Sequence, residues 1–231
     1  MKTGIIISGG WTDARLCKDV IDAYNGRKEL RGIRRPEGTE KPELIAADRG
    51  LLTCRAMGVK PDYIVGDFDS AGEDSLKAYW DDPRIVIRKY QPEKDLTDTQ
   101  IAIELALNLG WKEICVLGGT GNRLDHLIGN IQMLSLAAEK NAEGILLDAH
   151  NRARIVTRGI TLRRDEQWGS FVSMHAFGGN VSGLTLEGFK YPLENYTLCC
   201  DETRCISNEI IAEEAHISFK TGKLLVIESN D

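Results

Sequence analysis

The segment Pro61-Asp62-Tyr63-Ile64-Val65-Gly66-Asp67-Phe68-Asp69-Ser70 holds a short apolar run between two turn signals. Tyr63-Ile64-Val65 is too short for a helix and lacks polar alternation, as expected of a strand buried on both faces. A glycine and two aspartates follow it at once, where the chain turns over the edge of a sheet. The same pattern recurs outward in both directions. Toward the N-terminus, residues 44–47 run into Asp48-Arg49-Gly50 and residues 4–8 into Gly9-Gly10. Toward the C-terminus, 85–88 lead to Gln91-Pro92-Glu93-Lys94-Asp95, 114–117 to Gly118-Gly119-Thr120-Gly121-Asn122-Arg123, and 144–147 to Asp148. Helical periodicity lies between them, over about 12–24, 51–57, 74–80, 98–109 and 125–139. Strands alternating with helices predict an α/β fold with a mostly parallel sheet covered by helices.

From about Arg154 the texture changes to short β-type runs, at 170–175, 181–186, 197–200, 216–220 and 223–228, separated by turns such as Gly178-Gly179 and Tyr191-Pro192. This predicts a second, all-β domain of roughly 75 residues, large enough for a small sandwich. The chain of 231 residues divides on this reading into 1–150 and 151–231. Residues 26–42 are charged and aperiodic, with Gly and Pro, and read as a solvated surface excursion.

Composition is that of an ordinary globular protein, 42% apolar and 28% charged. The net charge of -6 and the lack of a basic stripe argue against nucleic acid as a partner. A site for phosphates must therefore draw positive charge from a few basic residues, helix N-termini or a metal ion. The six cysteines show no C-x-x-C spacing, which disfavours a zinc site or a disulfide framework. Neither a secretory leader nor a membrane span is visible, and the expected location is the cytoplasm.

In a parallel sheet, all the acid and glycine clusters that follow strands share the carboxyl edge, where open α/β folds bind ligands. Glycines let a polyphosphate approach the backbone, and the following helices aim their N-termini at it. Neither a dinucleotide nor a P-loop fingerprint is satisfied. Two like charges 4 Å apart repel by about 4 kcal/mol at an effective dielectric of 20. Asp67, Asp69, Asp95, Asp98 and Asp125 facing a polyphosphate thus call for a compensating hard cation, for which magnesium is suited. Each feature also has a plainer reading. Asp95-to-Asp98 and Asn122-to-Asp125 have nearly the form of a capping box, and Gly66-Asp67-Phe68-Asp69-Ser70 that of an Asx turn. Asp48-Arg49-Gly50 suits a simple strand-to-helix connection, and His126 and Asn130 suit a helix surface. Together, the clusters exceed what capping requires.

Ala46-Ala47-Asp48-Arg49-Gly50 and residues 61–70, followed by Lys94-Asp95-Leu96-Thr97-Asp98-Thr99 and Gly118-to-His126, resemble the ordered motifs of thiamine pyrophosphokinases. Gly188-Phe189-Lys190-Tyr191-Pro192-Leu193 and Ser207-Asn208 resemble the family's C-terminal marks, so the likeness spans nearly the whole chain. It implies an N-terminal three-layer α/β/α catalytic domain, a C-terminal β-sandwich, and a homodimer with thiamine between subunits. The implied reaction is magnesium-dependent transfer of pyrophosphate from ATP to the thiamine hydroxyl, with AMP leaving. By the same resemblance, Asp67, Asp69, Asp95 and Asp98 hold magnesium and the triphosphate, Arg123 neutralises phosphate charge, and Asp125 completes the acidic site. Asp48, Gly50, Lys94, Gly119, Gly121 and His126 fall on the nucleotide side. Asp69, Ser207 and Asn208 fall on the thiamine side. One departure stands out: where animal members place a thiamine-stacking tryptophan near the C-terminus, this chain has Leu225 or Val226. The competing expectations are another metal-dependent enzyme acting on phosphate esters, and a non-catalytic nucleotide or thiamine sensor.

Overall fold

A computed structural model describes the chain except residues 34–37, 68–73, 91–95 and 122. The N-terminal part alternates strands and helices: β1 (Thr3–Ile7), α1 (Ala14–Tyr24), β2 (Glu43–Ala47), α2 (Gly50–Ala56), β3 (Tyr63–Gly66), α3 (Asp74–Lys77), β4 (Val86–Lys89), α4 (Asp98–Asn108), β5 (Glu113–Leu117), α5 (Leu124–Glu139) and β6 (Glu143–Leu147). Seven strands follow: β7 (Asn151–Val156), β8 (Ile160–Arg163), β9 (Phe171–Ala176), β10 (Val181–Glu187), β11 (Leu193–Leu198), β12 (Glu214–Ser218) and β13 (Leu224–Ser229).

The expected parallel sheet is present, in the order β4-β3-β2-β1-β5-β6. Its apolar runs are continuous because both faces are covered. Ile5 and Ile7 pack with Cys17, Val20, Leu51 and Cys54 of α1 and α2, whereas Ile6 packs with Ile101, Ala102, Leu105 and Leu134 of α4 and α5. The chain fills one side of β1 out to β4 and then returns to β5 on the other. The topological switch point therefore lies between β1 and β5, at the mouth of Gly9-Gly10 and Gly118-to-Gly121.

Asp148 belongs to a different structure from the other strand-end acids. Its Oδ1 accepts from the backbone N–H groups of His150 and Asn151, both at 2.7 Å, forming a tight turn that sends β7 back antiparallel to β6. The sheet then continues through β13 and β9, nine strands in all. The division drawn at residue 150 thus falls inside one continuous sheet. The second sheet, β11-β10-β12-β8, packs on the far end of the first. Val156, Val172, Met174, Leu224 and Val226 of the long sheet meet Leu162, Leu184, Leu186, Ala215 and Ile217 of the short one. Leu225 and Val226 are 8% and 0% exposed, so neither presents a side chain to a ligand in place of the family's tryptophan.

β7 and β8 are absent from the sequence-based strand assignment. In β7, Arg152 and Arg154 alternate with Ala153 and Ile155, which looks like a solvent-facing strand. The arginines are instead held inside by Glu228 directly across the ladder. Arg152 donates to Glu228 at 3.0 and 2.6 Å, Arg154 donates at 3.1 Å, and the Trp168 backbone N–H donates at 3.0 Å.

In the excursion over residues 26–42 most described residues are exposed, but a few are tied to the core. Leu30 and Ile33 pair in an isolated bridge and pack against the α1-side core. The Gly32 carbonyl accepts from the Arg152 guanidinium. Among the described residues, no helix is long and apolar enough to cross a membrane.

Candidate functional site

The carboxyl edge of the parallel sheet does gather acids. Asp48 follows β2 with a left-handed backbone (φ 45°), and its N–H donates to the Val65 carbonyl at 2.8 Å. Beside it, Gly66 (φ 152°) leaves no room for a side chain: a Cβ there would lie 3.2 Å from Asp48 Cα. The ends of β2 and β3 are thus locked together, which sets Asp67 beside Asp48. Asp98 arrives from farther along the chain. The Ser8 and Thr99 hydroxyls, both buried, hydrogen-bond at 2.6 Å and pin the first turn of α4 to the end of β1.

The Asp67 and Asp98 carboxylates both lie near enough to act on the Asp48 carboxyl. Burial pushes the Asp48 carboxyl above its usual range, the Arg49 backbone N–H pulls it back, and the Asp98 and Asp67 carboxylates push it up further. Asp48 Oδ1 is buried and has no hydrogen-bond partner. A buried carboxylate oxygen left bare costs free energy, and this one sits where a cation or a donor from a ligand would satisfy it. Among the described residues, no three acidic, histidine or cysteine side chains are placed to hold a metal by themselves. Asp69, Lys94 and Asp95 lie outside the described residues.

Neither capping-box reading fits. Thr97 is the N-cap of α4, its hydroxyl accepting from the Gln100 N–H at 3.2 Å, so Asp98 is the first residue of the helix rather than the third. At α5 the N-cap is Arg123, which makes no side-chain cap bond, and Asp125 is the second residue. Both acids sit in first turns, where they complement the positive end of the helix dipole. Arg123 instead grips Asp125, at 3.1 and 2.5 Å. The guanidinium holds the Asp125 carboxyl down at about 2. Both side chains are exposed, at 69% and 63%, so the pair is available to exchange partners with a phosphate. His126 is exposed on the same turn.

The glycines carry distinct burdens. A Cβ on Gly10 would fall 2.3 Å from the Gly118 carbonyl, and Gly118 itself has φ 71°; the two loops of the switch point touch along bare backbone. Gly119 and Gly50 do structural work. A Cβ on Gly119 would meet Leu146 at 2.5 Å, and one on Gly50 would meet the Ile7 carbonyl at 1.9 Å. Gly121 lies against the Trp11 backbone. Asn130, which suits a helix surface by sequence, is 7% exposed and donates to the Gly119 carbonyl at 2.8 Å. It fixes the glycine loop from beneath, a role with no signature in the sequence.

The Ser207-Asn208 pair lies elsewhere. Asn208 bridges to Val172 beyond β9, past the far edge of the nine-stranded sheet. Ser207 is exposed and held left-handed (φ 55°). Asn208 is 3% exposed, and its amide serves the backbone. Its Oδ1 accepts from the N–H groups of Tyr191 and Glu209 at 3.0 and 2.9 Å, and its Nδ2 donates to the Tyr191 carbonyl at 2.9 Å. A cavity of about 420 Å³ opens beside it, lined by Tyr191, Pro192, Arg204, Cys205 and Ile206. Asn208→Ala is expected to cost about 1–3 kcal/mol, because it removes three hydrogen bonds to part-buried backbone groups at and beside the 191 turn. A urea titration checks this, and a loss under 0.5 kcal/mol, on the scale of ordinary surface changes, would refute the clamp.

Two family models match the chain. Residues 39–146 match the family described as thiamin pyrophosphokinase, catalytic domain, and residues 158–224 match thiamin pyrophosphokinase, vitamin B1 binding domain. The chain is 36% identical over 188 residues to the thiamine pyrophosphokinase of Bacillus subtilis, covering 81% of this chain and 87% of that protein. The B. subtilis crystal structure superposes with a TM-score of 0.80 at 33% identity over the full length of both chains. That of the Geobacillus thermodenitrificans protein gives 0.78 at 30% identity, over 98% and 97%.

Proposed function

We propose, for a chain that belongs to the thiamin pyrophosphokinase family and makes thiamine diphosphate by pyrophosphate transfer, that the acidic carboxyl edge is where the transfer occurs. The observation that carries this is the convergence of Asp48, Asp67 and Asp98, with a bare buried oxygen on Asp48, beside the glycine floor of the switch point. Such a surplus of negative charge fits a magnesium ion held by Asp67, Asp69, Asp95 and Asp98. When bound, magnesium supplies charge neutralisation for the triphosphate.

The remaining roles belong to the chain's own residues. Backbone N–H groups around Gly119 and Gly121, the start of α5, and Arg123 and Lys94 hold the triphosphate. Asp48 and Gly50 shape the wall beside it, and His126 borders it. Asp125 holds Arg123 in a bidentate grip until phosphate takes its place. The thiamine hydroxyl oxygen bonds to the β-phosphorus as the bond from that phosphorus to the oxygen shared with the α-phosphorus breaks. AMP departs, and one of the clustered aspartates takes the hydroxyl proton. In-line displacement of this kind needs positioning and charge neutralisation more than covalent participation.

On the thiamine side, Asp69 of the cleft and Ser207 of the sandwich are the contacts, with Asn208 setting the Tyr191 turn beside them. Asp48, at the cleft end of β2, and the Ser207-Asn208 pair are far apart within one chain. From β2 to the bridge at Asn208 the path crosses β1, β5, β6, β7, β13 and β9. At ~4.8 Å per step, seven steps make roughly 34 Å, far longer than thiamine. A thiamine held by both must therefore lie between two chains, which supports a homodimer. Six unpaired thiols fit a reducing compartment, and the cytoplasm is the proposed location.

Incubation with ATP, magnesium and thiamine tests the reaction: AMP and thiamine diphosphate are expected in equal amounts, and phosphate released without thiamine would refute it. For the shared site, an inactive Asp69→Asn chain mixed with an inactive Asn208→Ala chain should regain activity through one intact site per mixed dimer. A monomer on sedimentation that still makes thiamine diphosphate would rule the shared site out.

A further inference from the structure

Trp11 has no place in the roles above, yet it occupies the centre of the switch point. It follows Gly9-Gly10 directly after β1, and its position is imposed from three sides. Gly10 is pressed against the Gly118 carbonyl, and a Cβ on Gly121 would come within 3.1 Å of the Trp11 backbone nitrogen. Two residues on, Asp13 caps α1 by accepting from the Arg15 N–H at 2.7 Å. The stem of Trp11 is therefore rigid, while its ring is 76% exposed.

An exposed indole on a rigid stem is unusual, since tryptophan is largely buried on average. Trp111 in this chain is 1% exposed and donates its ring N–H to Glu43 at 2.9 Å, and Trp168 donates its own to the Asp148 carbonyl at 3.0 Å. The helix that follows the glycine loop also opens on exposed apolar side chains. Leu124 and Ile128, one turn apart at the start of α5, are 73% and 58% exposed, and Leu124 lies three residues past Gly121. A glycine floor suited to phosphates thus has at its rim, beside Gly121, a flat, electron-rich ring.

We infer that the Trp11 indole is the stacking surface for the purine ring of the nucleoside triphosphate. This rests on the assignment of the triphosphate to the glycine floor. With the phosphates on Gly119 and Gly121, the nucleoside extends to the rim, and the base covers an indole that otherwise faces water. Stacking of a base on an aromatic side chain is sequence-tolerant and strong enough to set affinity. Trp11 then contributes to nucleotide binding and leaves the chemistry at the β-phosphorus untouched.

Trp11→Ala should raise the KM for ATP about tenfold or more, the loss typical of one removed stacking partner. The KM for thiamine should stay as it is, and kcat should change little. Trp11→Phe should restore most of the affinity. Inorganic tripolyphosphate, which has phosphates but no base, should compete with ATP equally well against the native protein and Trp11→Ala. AMP should quench a component of tryptophan fluorescence that Trp11→Ala lacks. Four results would overturn the inference: an unchanged KM for ATP, a change confined to the KM for thiamine, weakened tripolyphosphate binding in parallel with ATP, or an altered sedimentation coefficient for Trp11→Ala. If the native protein makes no thiamine diphosphate, the proposed reaction fails by itself. AMP quenching and tripolyphosphate competition then still decide the role of Trp11.

Discussion

Asp67→Asn is expected to lower turnover by at least about a hundredfold, the loss typical of removing one group that stabilises charge at a reaction centre, while the protein stays folded. The substitution keeps the side chain's size and removes its charge at the point where β3 ends. The effect on stability should run in the opposite direction to the effect on activity. The Asp48 carboxyl is raised by burial first and then by its neighbours Asp98 and Asp67. A group whose folded pKa is raised is less comfortable ionised in the folded state, so ionised Asp48 detracts from stability above its unfolded pKa. Removing the Asp67 charge eases that strain, and the unfolding midpoint at neutral pH should hold or rise. Loss of activity with retained stability is the signature of a functional acid cluster. Circular dichroism melts, together with turnover measured across a magnesium titration, provide the check. Near-native turnover at ordinary magnesium would remove Asp67 from the site. A melt that drops along with activity would make it a structural residue.

The second large effect concerns the joint between the two halves of the protein. Glu228, 1% exposed, receives Arg152, Arg154 and the Trp168 N–H, and the same Arg152 reaches the carbonyls of Gly32 and Glu166. Four separate stretches of chain thus meet at one carboxylate. Glu228→Ala strands Arg152, whose side chain is only 10% exposed, and should cost about 3–5 kcal/mol, as when one partner of a buried ion pair is removed. Replacing both sides, as in Arg152→Met with Glu228→Leu, should recover much of the loss, because no lone buried charge remains and Arg154 keeps Glu143 at 2.8 Å. Chemical denaturation of the single and double variants measures this. A single variant within 1 kcal/mol of the native protein would show that water reaches the cluster and that the joint does not depend on it.

The parallel half of the fold was legible because its signal is local. An unbroken Ile, Val or Leu run between helical periods has few other structures open to it, whereas the order of the strands came only from their pairing in the folded sheet. The acid and glycine clusters were legible for the same reason: each sits immediately after a strand, and the sheet itself collects them at one edge. Composition and turn chemistry likewise marked the change to β structure near residue 150. What the sequence by itself determined about this protein is therefore its fold class, its motif order and the edge where its acid and glycine clusters gather.

The rest was decided by contacts between residues far apart in the chain. Arg152 and Arg154 look solvent-facing until Glu228, more than seventy positions later, is placed across the ladder, and so β7 went unrecognised. Asp148 shares the form of the other strand-end acids, yet only the antiparallel return of β7 shows that it builds a turn. Asn130 and Asn208 look like surface or ligand-contacting amides, but burial turns both into clamps on backbone loops. The Ser8–Thr99 bond, spanning 91 positions, is what carries Asp98 to Asp48. Local pattern records how a residue relates to its neighbours in sequence, whereas burial and charge pairing depend on which distant surface covers it, and only the tertiary structure supplies that surface.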